Sequence, residues 1–236
     1  MRVWLQCAWV IAACGMAQSV YAATVTAAHV PNTLQQRIAA CSGCHGQHGE
    51  GGDNGFNPRI AGKPALYLYR QLLNFRAGRR SYPPMEYMVR LLPDAYLREI
   101  ADYFSAQHPP HLPSQVSVLP SAVLARGQQL VRHGDAQQKL PACEACHGKS
   151  LAGVLPAVPA LIGLPYDYIS AQLGAWRTQT RKAIAPDCMA TIASRLSPAD
   201  ISAVAAWLSA QALPARLSPQ AAGTTHMPLS CGSAQP

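Results

Sequence analysis

Apolar residues recur at spacings of three and four in several stretches of this chain, and each such stretch has a counterpart about a hundred residues further on. Leu97, Ile100, Ala101 and Phe104 mark one helical face, and Ile201, Val204, Ala205 and Leu208 repeat it. Leu66, Tyr69, Leu72 and Leu73 mark a second face, whose helix should start at Pro64, as its counterpart starts at Pro165. Ser197 before Pro198 is a good cap with proline at the first helical position, and Pro93-Asp94 opens the matching helix. Upstream, Leu34, Ile38 and Ala39 give a short helix that ends in the run Cys41 to His45, with Leu124, Gln128 and Val131 a weaker version of it. Strand signals are weak throughout, so the pattern predicts an all-α fold.

The register of the repeat is tight. Gly62-Lys63-Pro64-Ala65-Leu66-Tyr67 aligns with Gly163-Leu164-Pro165-Tyr166-Asp167-Tyr168 at an offset of 101, and Leu92 to Gln107 aligns with Leu196 to Gln211 at 104. Fixed-offset similarity marks a duplicated module, and the drift in offset implies short insertions in loops. A chain of 236 residues suits two modules. We expect one over residues 31–107 and another over 121–213, joined by a semi-extended proline-rich linker at 108–120 and followed by a flexible tail at 214–236. Residues 1–22 read as a signal peptide, with Arg2, an apolar run from Val3 to Ala13 and a small-residue cleavage site at Val20-Tyr21-Ala22. Ile11-Ala12-Ala13 ahead of Cys14 also resembles a lipobox, and acylation there would give a peripheral membrane anchor.

The formal charge of +8 is spread over both halves, as in Arg76, Arg79, Arg80, Arg177, Arg181 and Lys182, without a block of like charge or interleaved aromatics. That distribution argues against nucleic acid as a partner. These cations either line a solvated helix face or pair with anionic groups of a ligand.

The chemistry sits at Cys41-Ser42-Gly43-Cys44-His45 and Cys143-Glu144-Ala145-Cys146-His147. Cysteines three apart on a helix can offer two thiols to one edge of a porphyrin, and the following histidine then sits beneath the iron, so the pattern implies two covalently bound haem c groups. A zinc site would bring the two pairs within roughly 15 to 20 residues of each other, and a thioredoxin-like pair would be single and in a βαβ setting. Neither condition is met. Seven residues before each aligned leucine stands a methionine, Met85 before Leu92 and Met189 before Leu196, in what reads as the loop ahead of the last helix. Met85 and Met189 are the expected second axial ligands of irons held by His45 and His147, and a thioether there closes the site and raises the potential. Met88 rivals Met85, and Cys188 rivals Met189 as a thiolate, unless it is taken by a disulfide with Cys231. A carbonyl of Pro58 or Pro159 would suit the second imidazole proton, although loop rigidity alone would also account for these prolines. The other histidines, His29, His48, His108, His111, His133 and His226, take surface positions by default.

With these motifs, and with Arg59-Ile60-Ala61-Gly62 ahead of Tyr67-x-x-x-Gln71-Leu72 and Asn74-Phe75-Arg76-Ala77-Gly78, residues 31–213 resemble the dihaem class-I cytochromes c of the c4 type. The resemblance implies two tandem cytochrome c domains related by a pseudo-twofold, His/Met ligation of each iron, and electron transport in the periplasm. Its expected partners are a terminal oxidase, cytochrome bc1 or a periplasmic dehydrogenase, with carriage rather than catalysis as the expected role. The alternatives are a dehydrogenase haem subunit or a dihaem oxidoreductase acting on a sulfur compound or peroxide. Asp187-Cys188-Met189 and the cysteine-bearing tail depart from the simplest members.

Overall fold

The computed structural model describes residues 33–214 and 217–235. The expected signal peptide, the acylation alternative at Cys14 and His29 lie outside the described residues. Among the described residues there are ten helices, and the only β pairing is in isolated bridges. The first half holds α1 (Leu34–Arg37), α2 (Ala39–His45), α3 (Ala65–Arg76), α4 (Pro83–Val89) and α5 (Asp94–Ser105). The second holds α6 (Ser121–Arg132), α7 (Cys143–His147), α8 (Tyr166–Arg177), α9 (Cys188–Arg195) and α10 (Pro198–Ser209). No described helix is long and apolar enough to cross a membrane.

Helix starts follow the local signals. Pro64 and Pro165 are the caps of α3 and α8, holding extended ψ values of 132° and 148° just before the helical turn. Ser197 and Asp200 form a reciprocal capping box at α10, with the serine hydroxyl accepting the Asp200 N–H at 3.0 Å and the Asp200 carboxylate accepting the Ser197 N–H at 3.2 Å. The apolar faces then meet. α3 packs on α5 to bury Leu68, Phe75, Leu97, Ile100 and Phe104, and α10 packs on α6 and α8 to bury Leu130, Val131, Ile169, Leu173, Val204 and Leu208. The α6–α10 crossing is close enough that a Cβ on Gly127 would lie 2.1 Å from the Ala203 carbonyl oxygen.

Three expectations need correction. Met85 and Met189 lie on short helices, not in loops: Pro83-Pro84 preset the first turn of α4, and the Asp187 carboxylate caps α9 through the Ala190 N–H at 3.0 Å. In the second half the attachment motif does not end the preceding helix. α6 stops at Arg132, Gly134 takes a φ of +72°, and Asp135 and Leu140 pair their backbones at 2.8 Å before α7 begins. The tail, read from its composition as loose, is tied to the second half. The Gln220 N–H donates to Gly153, the Leu155 N–H donates to Gln220, and Cys231 is in a disulfide with Cys188.

Gly127→Ala should therefore destabilise the protein by about 2–3 kcal/mol, since the added methyl meets backbone that cannot swing aside. Urea unfolding checks this, with Gly174→Ala as the control, because a Cβ on Gly174 would have nothing within 4 Å.

Candidate functional site

Each Cys-x-x-Cys-His run folds as a short helix, α2 or α7, that its own histidine closes. The next residue, Gly46 or Gly148, turns the chain away at a φ of +84° or +82°, a conformation that glycine adopts without strain. The loop then folds back under the helix. Gly51 donates its N–H to the His45 carbonyl at 2.7 Å, and Gly153 does the same to His147 at 3.0 Å.

Both imidazoles are buried, with 8% of each exposed. Nδ1 lies 2.9 Å from the Pro58 oxygen in His45 and 2.8 Å from the Pro159 oxygen in His147. A carbonyl only accepts, so Nδ1 carries the proton and Nε2 keeps a lone pair suited to a metal. Burial pushes both imidazoles below the ordinary histidine range and outweighs the opposing carbonyl bond, with Arg80 adding to the effect at His45 and Lys63 at His147. Each ring is thus the neutral form that ligates. Burial also pushes the Cys143 thiol up to about 12 and raises Cys41 and Cys146. All four motif cysteines are unpaired.

Cys41 and Met85 both pack against the first apolar core, and Cys143 and Met189 both pack against the second. Met88 lies exposed on α4 and is not part of that packing. Cys188 is bonded to Cys231 and is not a free thiolate. Among the described residues no three of His, Cys, Asp and Glu gather as a metal site.

Between the halves lies a polar knot with near-twofold symmetry. Arg80 and Arg181 form an antiparallel bridge. The Arg80 guanidinium donates to Gln71 (3.0 Å), Gln172 (2.7 Å) and the Tyr168 hydroxyl (3.1 Å). Arg181 donates to Gln172 (2.7 Å), Gln71 (3.0 Å) and the Tyr67 hydroxyl (3.4 Å). Each guanidinium also stacks on the aromatic ring of its own half, Phe75 at 4.5 Å and Trp176 at 3.8 Å. Lys63 and Arg59 are buried nearby, and Arg59 donates to the Pro109 and Pro110 carbonyls of the linker.

Among the described residues none of Arg59, Lys63, Arg80 and Arg181 has a carboxylate within salt-bridge distance. Burial lowers Lys63 to about 8 and lowers Arg181 as well. Burial alone would raise the Tyr168 phenol, but Arg80, Arg181 and Lys63 together pull it below its usual value. The buried Arg59 Nε and Trp176 Nε1 donors have no acceptor. Unpaired buried cations are costly, and two propionates from each of two haems would supply the missing anions, so these residues fit the group.

Two of the arginines expected at that task do something else. Arg76 and Arg177 donate to the carbonyls of Leu92 and Leu196, tying α3 and α8 to the start of the last helices. Lys182 is exposed. His111 departs from the surface reading: its Nδ1 is buried without a partner, and its ring lies against Gly163. Arg80 and Arg181 stand out in the sequence as repeated cations, but their pairing with Gln71 and Gln172 does not, although all four sit in the same 101-residue register.

The family model described as cytochrome c matches residues 124–212. A thiosulfate dehydrogenase electron acceptor from Thiomonas intermedia is 38% identical over 156 residues, 66% of this chain and 71% of that protein. The crystal structure of reduced recombinant cytochrome c4 from Pseudomonas stutzeri superposes with a TM-score of 0.65 at 30% identity, covering 75% of this chain and 96% of that one. The thiosulfate dehydrogenase TsdBA from Marichromatium purpuratum superposes with a TM-score of 0.64 at 34% identity over 73% of this chain, which spans 36% of that longer protein.

Gln172→Ala withdraws an acceptor from both guanidiniums at once, so it should cost about 2–3 kcal/mol in urea unfolding. Exposed Gln47→Ala should cost under about 0.5 kcal/mol.

Proposed function

The chain belongs to the dihaem cytochromes c of the c4 type, an electron-transfer family with covalently bound haem c, and on that premise we propose that it is a periplasmic carrier loaded by a thiosulfate-oxidising dehydrogenase. Residues 31–107 and 121–213 are the two haem-bearing units of this reading. Cys41 and Cys44 attach one haem and Cys143 and Cys146 the other. His45 with Met85, and His147 with Met189, are the axial pairs.

The observation that carries the reading is the pair of buried imidazoles, each with Nδ1 committed to a proline carbonyl and a methionine packed on the same core. When bound, the haem irons supply the one-electron couple. The protein holds each imidazole neutral and fixed in orientation, so that little reorganisation accompanies a change of charge. As ligands, Met85 and Met189 would close the positions a small substrate would need, which suits a carrier. The disulfide at Cys188 removes the thiolate that would have favoured sulfur chemistry on the chain itself.

The choice of donor is supported by the names of two similar proteins, an electron acceptor of thiosulfate dehydrogenase and a thiosulfate dehydrogenase that includes a segment similar to this chain. Electrons then pass toward a terminal oxidase through brief, small contacts.

Met85→Ala and Met189→Ala should each lower one of the two potentials by on the order of 0.1–0.2 V, within the span of about 0.8 V that axial ligands command, and spectroelectrochemical titration reads both. Rapid reduction of the oxidised holoprotein by a purified thiosulfate dehydrogenase with thiosulfate, absent without the enzyme, checks the donor. Failure of that reduction alongside rapid reduction by another dehydrogenase would replace it.

A further inference from the structure

We propose that the C-terminal strap is a positioning element for the distal side of the second haem, holding Met189 in place through the Cys188–Cys231 disulfide. The inference rests on Met189 being an axial ligand. Cys188 is the first residue of α9 and Met189 the second, so the covalent link lies one residue from the thioether. Its partner Cys231 is buried, and the bond closes a loop of 43 residues.

The strap is held on both sides of that bond. Upstream, Gln220 is hydrogen-bonded to Gly153 and Leu155 in the loop below His147, and its side chain covers Gly148, the residue after that histidine. Downstream, the Gly232 N–H donates to the Pro186 carbonyl at 2.9 Å, and the Ser233 carbonyl accepts from Arg70 Nη1 at 2.8 Å. Arg70 lies on α3, so the strap also reaches the first half. The fit at Gly232 is tight, since a Cβ there would stand 2.2 Å from the Ala185 carbonyl oxygen.

The segment before Met189 is thereby fixed at several points. The Lys182 N–H donates to Arg79 at 2.6 Å, the Asp187 carboxylate accepts from Ala183 at 2.7 Å and Ala190 at 3.0 Å, and the strap closes over Pro186 and Cys188. Among the described residues the first half shows no such device. Repeat alignment puts Pro84 opposite Cys188, and α4 relies on its two prolines and on the Tyr82 N–H donating to Glu86 at 2.8 Å. One methionine is thus held by local stiffness and the other by a covalent brace. Lifting Met189 from its position requires the start of α9 to move against a strap anchored at both ends.

The test uses the holoprotein in four forms: wild type, Cys188→Ser with Cys231→Ser, Gly232→Ala and Met189→Ala. Gly232→Ala keeps the disulfide but forces the strap off the Ala185 carbonyl, so it reports even where the double variant folds poorly. Imidazole binding to each oxidised haem is followed optically, and both potentials are titrated. In the double variant and in Gly232→Ala, imidazole should bind the second haem about tenfold faster, equivalent to about 1.4 kcal/mol at the barrier, and its potential should fall while the first haem keeps both values. If Met189→Ala opens the second haem but the strap variants leave it as in wild type, the positioning role is wrong and the ligand stands. If Met189→Ala leaves the second haem closed, the ligand assignment fails, and the inference with it. Equal changes at both haems would mean general loosening and would also overturn the proposal.

Discussion

The structure depends most on a charge imbalance that the polypeptide does not resolve by itself. Arg59, Lys63, Arg80 and Arg181 are gathered where the two halves meet, three of them under 10% exposed, with no carboxylate in salt-bridge distance among the described residues. Two neutral glutamines, two phenols and two aromatic faces solvate the arginines but do not neutralise them. A junction of this kind is incomplete without anionic groups. Two haem c groups would bring four carboxylates, which these cations could receive, so that the cofactors would complete the interface between the halves as well as each half.

The duplicated wiring shows how few contacts define each half. The proline carbonyl on the imidazole, the glycine N–H on the histidine carbonyl, and the arginine on the carbonyl before the last helix all recur. The segments ahead of the two motifs differ. α6 runs twelve residues and crosses α10 at Gly127, whereas the described part of the first half has only the four-residue α1 ahead of its motif.

Much of this was legible in the sequence because it depends on local spacing. The cysteine motifs, the proline-led starts of α3 and α8, the capping box at Ser197 and the proline carbonyls opposite the histidines all follow from residues near in sequence or from the 101-residue register. The helical setting of Met85 and Met189 was hidden because each helix is short and its start is set by a proline pair or an aspartate cap, signals weaker than an apolar stripe. The ten-residue excursion between α6 and α7 was hidden by alignment on the motif itself. The role of Gln71 and Gln172 could not be read because a glutamine's partner is decided by tertiary approach. The tail's composition suggested looseness, and only its contacts show otherwise.

The asymmetry between the halves bears on function because a carrier with two identical centres gains nothing in direction. The surroundings differ where they matter. The His45 ring feels Arg80 while His147 feels Lys63, and burial lowers Lys63 to about 8. Trp176 replaces Phe75 under the guanidinium and adds a buried donor without an acceptor. Each difference alters how well one half tolerates the extra negative charge of a reduced centre. On the proposed ligation, a covalent brace beside Met189, with none beside Met85 among the described residues, would act in the same way on the oxidised state, by resisting loss of the thioether. A duplicated fold diversified at the junction and at one tail can therefore separate two chemically equal haems in energy without changing any ligand.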